Sequence, residues 1–171
     1  TTVASKNNST YYYRLISGAD YGVSGGAYTV SNTDVATAYQ LVEDPESQTI
    51  DFILAGPSGA DDASAIAKIT SLTNIVEERR DCMLFVSPRR ANVVGVSSGT
   101  TVTSNIISFF KQLPSSSYMV FDSGYKYIYD KYNDVYRYIP CNGDVAGLCL
   151  QATETSEPWF SPAGFQRGVL R

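Results

Sequence analysis

Short stretches of this chain carry residue types that could do chemistry. GVSSG (95–99) has the form G-x-S-x-G with helix-forming sequence after it, which poses Ser97 as the nucleophile of a hydrolase elbow. A serine hydroxyl at neutral pH needs a neighbouring base, and in that fold the base is histidine. The chain contains no histidine. A small-residue loop capping the next helix is therefore the better reading of Gly95 to Gly99. GPSGADD (56–62) is a glycine-containing turn whose backbone N–H groups could cradle an anion. It lacks the G-x-x-x-x-G-K-[ST] pattern that holds phosphates and magnesium, and Asp61-Asp62 would repel phosphate. Helix capping by Ser58 or Asp61 is expected instead. Asp122 ends the run YMVFD, and Asp51 heads another apolar run. A carboxylate at a strand's end can bind magnesium or act as a base, but spacing places no second acid beside either. No catalytic, cofactor-binding or metal-ligating residue is assigned.

The three cysteines, Cys82, Cys141 and Cys149, form no C-x-x-C pair, and without histidine the usual zinc constellations are out of reach. If Cys141 and Cys149 flank a helical stretch they stand about 12 Å apart, too far for a disulfide. Reduced, mostly buried thiols are expected, as in a protein assembled in cytoplasm.

The elements that must position these residues are legible from periodicity. TIDFILAG (49–56), CMLFVSP (82–88) and YMVFD (118–122) are short apolar runs expected as strands covered on both faces. Between them, ADDASAIAKITSLTNIVEERR predicts an amphipathic helix with Ala63, Ile66, Ile69, Thr73 and Val76 on its buried side, acids at its positive end and Arg79-Arg80 at its negative end. Residues 100–113 predict a second, with Val102, Ile106, Phe109 or Phe110 and Leu113 inward and Pro114 as stop. The order β-α-β-α-β implies a parallel sheet with right-handed crossovers. Upstream, residues 31–45 predict a helix with Val35, Ala38, Tyr39 and Val42 on one side and Asn32 or Thr33 as cap. LISGADYGVSGG is expected as loop, and residues 1–14 as an incoming strand. Downstream, YKYIYDKYNDVYRYIP (125–140) alternates as a hairpin about Asn133-Asp134. A last helix, NGDVAGLCLQAT, carries Val145, Leu148, Cys149 and Ala152. The fold class is α/β: a mostly parallel, three-layer arrangement with flanking helices plus a tyrosine-rich β-hairpin.

At 171 residues, with 43% hydrophobic and 18% charged residues, the chain is one domain able to bury a core without staples. Its net charge of −4 argues against a dedicated nucleic-acid binder. The basic doublets Arg79-Arg80 and Arg89-Arg90 read as a solvated helix end and a loop. No apolar run approaches the roughly 20 residues that span a bilayer, and no signal peptide opens the chain. The start without methionine and the end after GVLR read as a piece cut from something longer. Thirteen tyrosines, concentrated at 11–13 and 118–138, either stabilise the hairpin by cross-strand pairing or supply an interface.

From the hairpin onward, YKYIYDKYNDVYRYIPCNGDVAGLCLQATETSEPWFSPAGFQRG resembles the core segment of contractile tail sheath proteins of T-even-type myoviruses. The matching residues are Pro140; Asp144, Val145, Ala146, Gly147 and Leu148; and Trp159, Phe160, Ser161, Pro162, Ala163, Gly164, Phe165, Gln166, Arg167 and Gly168. LISGADYG, Asp44-Pro45-Glu46, DFILAG and RRDCMLFVSPRR extend the resemblance to roughly residues 15–168. It implies a structural subunit, not an enzyme, and no cofactor. Such subunits form hexameric rings stacked around a tail tube and contract when the baseplate releases them, driving the tube through the host envelope. Other sheath subunits, the tube protein, the baseplate and the tail terminator are the implied partners, with no direct nucleic-acid or membrane contact. The implied location is the virion tail, after assembly in the bacterial cytoplasm. Residues 1–171 would be a single core domain, 1–14 arriving from an upstream part and 157–171 leaving toward a carboxyl-terminal part. The structural or interface candidates are Pro140, Asp144, Gly147, Trp159, Phe160, Pro162, Gly164, Arg167 and Gly168. Trp159 and Phe160 are expected to lock the last helix against the core, and Arg167 to pair with an acid. The terminal arms that join neighbouring sheath subunits lie outside this chain, so the fragment alone is expected to be monomeric or weakly associating. The alternative is an α/β hydrolase or nucleotide-binding domain using loops 56–62 or 95–99.

Overall fold

A computed structural model describes residues 2–7, 10–15, 31–59, 61–165 and 167–170. In chain order these form β1 (Thr2–Asn7), β2 (Thr10–Leu15), α1 (Asn32–Gln40), β3 (Phe52–Leu54), α2 (Asp62–Arg79), β4 (Met83–Val86) and α3 (Arg90–Val93). There follow α4 (Gly99–Phe110), β5 (Met119–Phe121), β6 (Tyr125–Asp130), β7 (Val135–Pro140) and α5 (Asn142–Thr155). Of the expected loop at residues 15–26, Leu15 ends β2 and residues 16–26 lie outside the described residues. The expected incoming strand is an antiparallel β1–β2 hairpin, Thr2 opposite Leu15.

β3, β4 and β5 form a parallel sheet in that order, with Ile53 opposite Leu84 and Leu84 opposite Met119. Successive residues of a strand face opposite ways. Ile53, Ala55, Leu84, Val86 and Met119 accordingly share one core with Ala65, Ile69, Leu72 and Val76 of α2 and with Phe109 and Leu113. Leu54 faces the other way, toward α5: a Cβ added at Gly143 would lie 3.9 Å from its Cδ1. Phe52 and Phe85 meet edge to face at 5.0 Å between centroids. Helices thus cover both faces of a parallel sheet, and the mixed α/β class with a tyrosine-rich hairpin holds.

Local chemistry sets the helix ends. Asp61 caps α2, accepting the Ser64 N–H at 2.8 Å. Arg80 closes the helix in the left-handed region at φ 58°, its N–H bonded to the Val76 carbonyl at 2.9 Å. Ile69, Thr73 and Val76 are buried as expected and Ile66 packs half-buried against the core, while Ala63 is exposed and the buried side also takes in Ala65 and Leu72. Within the first turn Asp62 and Ala63 face solvent while Ala65 faces the core. Ser31, not Asn32 or Thr33, caps α1, accepting the Asp34 N–H at 3.1 Å. Asn32 instead donates to the Ser64 carbonyl at 3.0 Å, tying α1 to α2. Tyr39 packs against the core and donates to the Leu54 carbonyl at 3.0 Å on the outer edge of β3.

Arg79 is not a solvated helix-end charge. Its side chain is fully buried, pairs with Asp81 at 2.9 Å, and donates to the carbonyls of Val42 at 2.6 Å and Gln48 at 2.8 Å. One planar guanidinium thereby fastens the turn after α1 to the end of α2.

The β6–β7 hairpin pairs Tyr127 with Tyr138 and Tyr129 with Tyr136. Asp130 organises its turn, accepting from the Tyr132 and Asn133 N–H groups and pairing with Arg137 at 2.9 Å. Asp134 sits at φ 54°, as the turn signal predicts.

Candidate functional site

In parallel α/β sheets ligands gather in the crevice beyond the carboxyl ends of the strands. Here that edge consists of Gly56 and Ser58 after β3, Ser87 and Pro88 after β4, Asp122 after β5, and the start of α5. Gly56 turns the chain at φ 64°. Ser58 donates to the Ser87 carbonyl at 2.8 Å. The Ser87 hydroxyl donates to Asp122 Oδ2 at 2.5 Å and accepts the Asn142 N–H at 3.1 Å. The Asn142 amide reaches across to the Gly56 carbonyl at 2.8 Å. Tyr125 donates to the Pro88 carbonyl at 3.0 Å, and Lys126 pairs with Asp144 at 2.5 Å.

All three strand ends are therefore bridged to one another and to α5 by the chain's own polar groups. Burial raises the Asp122 carboxyl above its ordinary value of 3.8; the Ser87 and Gly124 hydrogen bonds oppose that rise, and Asp144 adds to it. Ser87 and Asp122 form a hydroxyl–carboxylate pair, but Ser87 is fully buried and its oxygen already serves as donor and acceptor. This is the geometry of an interlock. Ser87 went unnoticed in the sequence; its only signal was the polar residue closing the apolar run CMLFVSP.

The loops weighed as chemical sites have structural work. The N-terminus of α2 is occupied by Asp61, which accepts from both the N–H and the hydroxyl of Ser64 at 2.8 Å; these bonds lower its pKa. Asp62 pairs with Arg89 at 2.5 Å. A Cβ at Gly59 would meet the Ala65 nitrogen at 2.8 Å, so glycine there serves close packing. Lys68, its pKa lowered by burial, donates to the carbonyls of Ala55 at 2.6 Å and Pro57 at 2.9 Å. In loop 95–99, Gly95 sits at φ 84°, Ser98 caps α4, and Ser97 is exposed. Among the described residues no three His, Cys, Asp or Glu side chains gather as a metal site, and no helix is long and apolar enough to cross a membrane. All three cysteines are free.

The candidate interface residues fall into two groups. Pro140 and Asp144 lie at the carboxyl edge, where Pro140 ends β7 and Asp144 anchors α5 to β6. Gly147 borders a groove that Val169 and Leu170 also line. The loop beyond α5 departs from expectation. Trp159 is 80% exposed, Phe160 47% and Phe165 fully exposed, so they do not clamp the helix to the core within this chain. Arg167 pairs with no acid among the described residues; its guanidinium lies 4.8 Å from the Phe160 ring centroid. Gly164 at φ 131° and Gly168, whose N–H reaches the Gly164 carbonyl at 2.7 Å, close a tight turn after Pro162.

A further aromatic surface lies on the hairpin. Tyr127 stacks on Tyr136 at 5.2 Å and meets Tyr138 in a tilted pair at 4.6 Å, as Tyr129 meets Tyr136 at 5.1 Å, all on one exposed face.

Comparison with known proteins places these features. The chain is 34% identical over 175 residues to the tail sheath protein of Vibrio phage KVP40, a match covering 93% of this chain and 26% of that protein. It is 32% identical over 159 residues to the tail sheath protein of Enterobacteria phage T4, covering 87% of this chain and 24% of that one. The tail sheath protein of Salmonella phage ViI is 38% identical over 99 residues, or 57% of this chain and 15% of its own length. The chain thus spans about a quarter of the first two relatives. No family profile matches it.

Proposed function

We propose, on the premise that the chain is a relative of a segment of phage tail sheath proteins, that it is a structural block of a tail sheath and not an enzyme. The observation that carries this reading is the match over 93% of the chain to a tail sheath protein. The carboxyl edge supports it from within. At the ends of β3 and β4 this chain seats Asn142 and the start of α5, with a groove of about 480 Å³ beside them between loop 57–59, Arg90 and the hairpin.

In this reading residues 1–171 form one core domain, with the segment after α5 leading to further parts of a longer polypeptide. Neighbouring sheath subunits, the tail tube, the baseplate and the terminator are its partners in the virion tail, after assembly in the host cytoplasm. Contraction moves the block and drives the tube through the envelope. The candidates Pro140, Asp144 and Gly147 hold α5 in place; Trp159, Phe160, Pro162, Gly164, Arg167 and Gly168 present an aromatic loop to a neighbouring subunit.

Electron microscopy of the longer sheath polypeptide carrying this chain tests the reading. Regular tubes are expected; dispersed particles under all assembly conditions would refute it. Covalent labelling of Ser97 by a serine-reactive probe would favour the hydrolase reading instead.

A further inference from the structure

We propose that the tyrosine face of the β6–β7 hairpin, together with Arg90, receives the acidic turn at residues 41–46 of a second copy of this chain, forming a head-to-tail contact. The inference deepens the reading of the chain as a lattice subunit and rests on it.

The receiving surface is continuous. Tyr127, Tyr129, Tyr136 and Tyr138 share one face of the hairpin by register, and each is more than 40% exposed. The Arg90 guanidinium lies 5.6 Å from the Tyr138 ring centroid and makes no ion pair among the described residues. Beyond it, Arg90, Tyr125, Tyr138 and Pro140 line a groove of about 480 Å³. Flat aromatic faces beside a cation take a ligand that combines carboxylates with a small apolar body.

The turn after α1 has that chemistry. Leu41 is 77% exposed, and Glu43, Asp44, Pro45 and Glu46 follow it. The turn is already ordered. The Glu46 N–H donates to Asp44 Oδ1 at 3.0 Å, and Arg79 holds the flanking carbonyls of Val42 and Gln48. A pre-formed turn loses little entropy on docking. Each copy carries a net charge of −4, so copies repel overall, and the complementarity is local: Glu43, Asp44 and Glu46 of the turn against Arg90.

The two surfaces cannot meet within one molecule. Residues 41–46 stand at the amino edge of the sheet, where Met83 N–H bonds the Asp51 carbonyl and Arg79 ends α2. The Tyr138 end of the hairpin stands at the carboxyl edge, where Tyr125 reaches Pro88. Contact therefore joins unlike ends of two copies. Such a heterologous interface repeats, generating a ring if the rotation closes and a helical filament if it does not.

Sedimentation velocity of the chain across a concentration series tests the contact. Wild type is expected to self-associate at low salt and to dissociate as salt rises. Arg90→Ala, Tyr136→Ser, and the pair Glu43→Gln with Glu46→Gln are each expected to weaken association about tenfold. Asp44 is left intact because it shapes the turn. An equimolar mixture of Arg90→Ala with the double Gln variant should form a one-to-one pair that grows no further, since each retains one good end. A wild type that stays monomeric, variants that associate like wild type, or a mixture no tighter than its components would each overturn the proposal. Tube formation is read separately by microscopy: tubes indifferent to Arg90→Ala would refute this contact while leaving the sheath reading in place.

Discussion

Ser87 is the residue on which the carboxyl edge depends. Its hydroxyl serves a half-buried carboxylate and a buried helix N-terminal amide at once, so Ser87→Ala strands the Asn142 N–H and leaves Asp122 with its Gly124 bond alone. A buried group left without a partner costs about 1–3 kcal/mol, and urea denaturation should show a loss of about 2 kcal/mol. Asp122 acts with the opposite sign from a paired surface acid. Because burial raises its pKa, the folded protein holds the Asp122 proton more tightly than the unfolded chain does. The stability this contributes is present below the ordinary value of 3.8 and is lost as pH rises through the raised value. Stability measured against pH should accordingly fall less with rising pH across that window in Asp122→Asn than in wild type. Capping by Asp61 was readable because a cap is local in sequence. Ser87, Arg79 and the exposure of Trp159 were not, since each depends on what lies across from the residue in space: Asn142 is 55 positions from Ser87 and Val42 is 37 from Arg79.

At the scale of elements, α2 carries the core and the loop after α5 does not. Leu72 is 1% exposed between α2 and the sheet, and Leu72→Ala should cost about 3 kcal/mol by chemical denaturation. Trp159→Ala, by contrast, should leave the melting temperature of the chain unchanged, since the indole is 80% exposed. The three strands follow from continuous apolar runs, the helices between them from a period of 3.6 and the tyrosine hairpin from a period of 2. On α2 periodicity placed Ile69, Thr73 and Val76 on the buried side and erred at Ala63, which is exposed, while Ala65 and Leu72, which it left out, pack in the core. The Trp159 loop misled for a related reason: proline, glycine and tryptophan together signal rigidity, but not whether the surface being covered belongs to the same chain.

At the scale of the molecule, the helices on both faces of the sheet and the interlocked carboxyl edge describe a block that can be displaced without coming apart. Its exposed aromatic surfaces, the hairpin face and the loop after α5, lie outside that block. This division places Ser87, Asp122 and Asn142 in the interlock, and leaves Tyr127, Tyr136, Trp159 and Phe160 exposed, as the proposed contacts between subunits require. The most direct test of the proposed sheath reading is electron cryomicroscopy of tubes assembled from a polypeptide that contains this chain, before and after contraction. The account predicts that β3, β4, β5, α2, α4 and α5 superimpose between the two states, with Asn142 still seated on Ser87. A lattice in which α5 leaves the carboxyl edge, or one in which a small molecule occupies that edge, would contradict it.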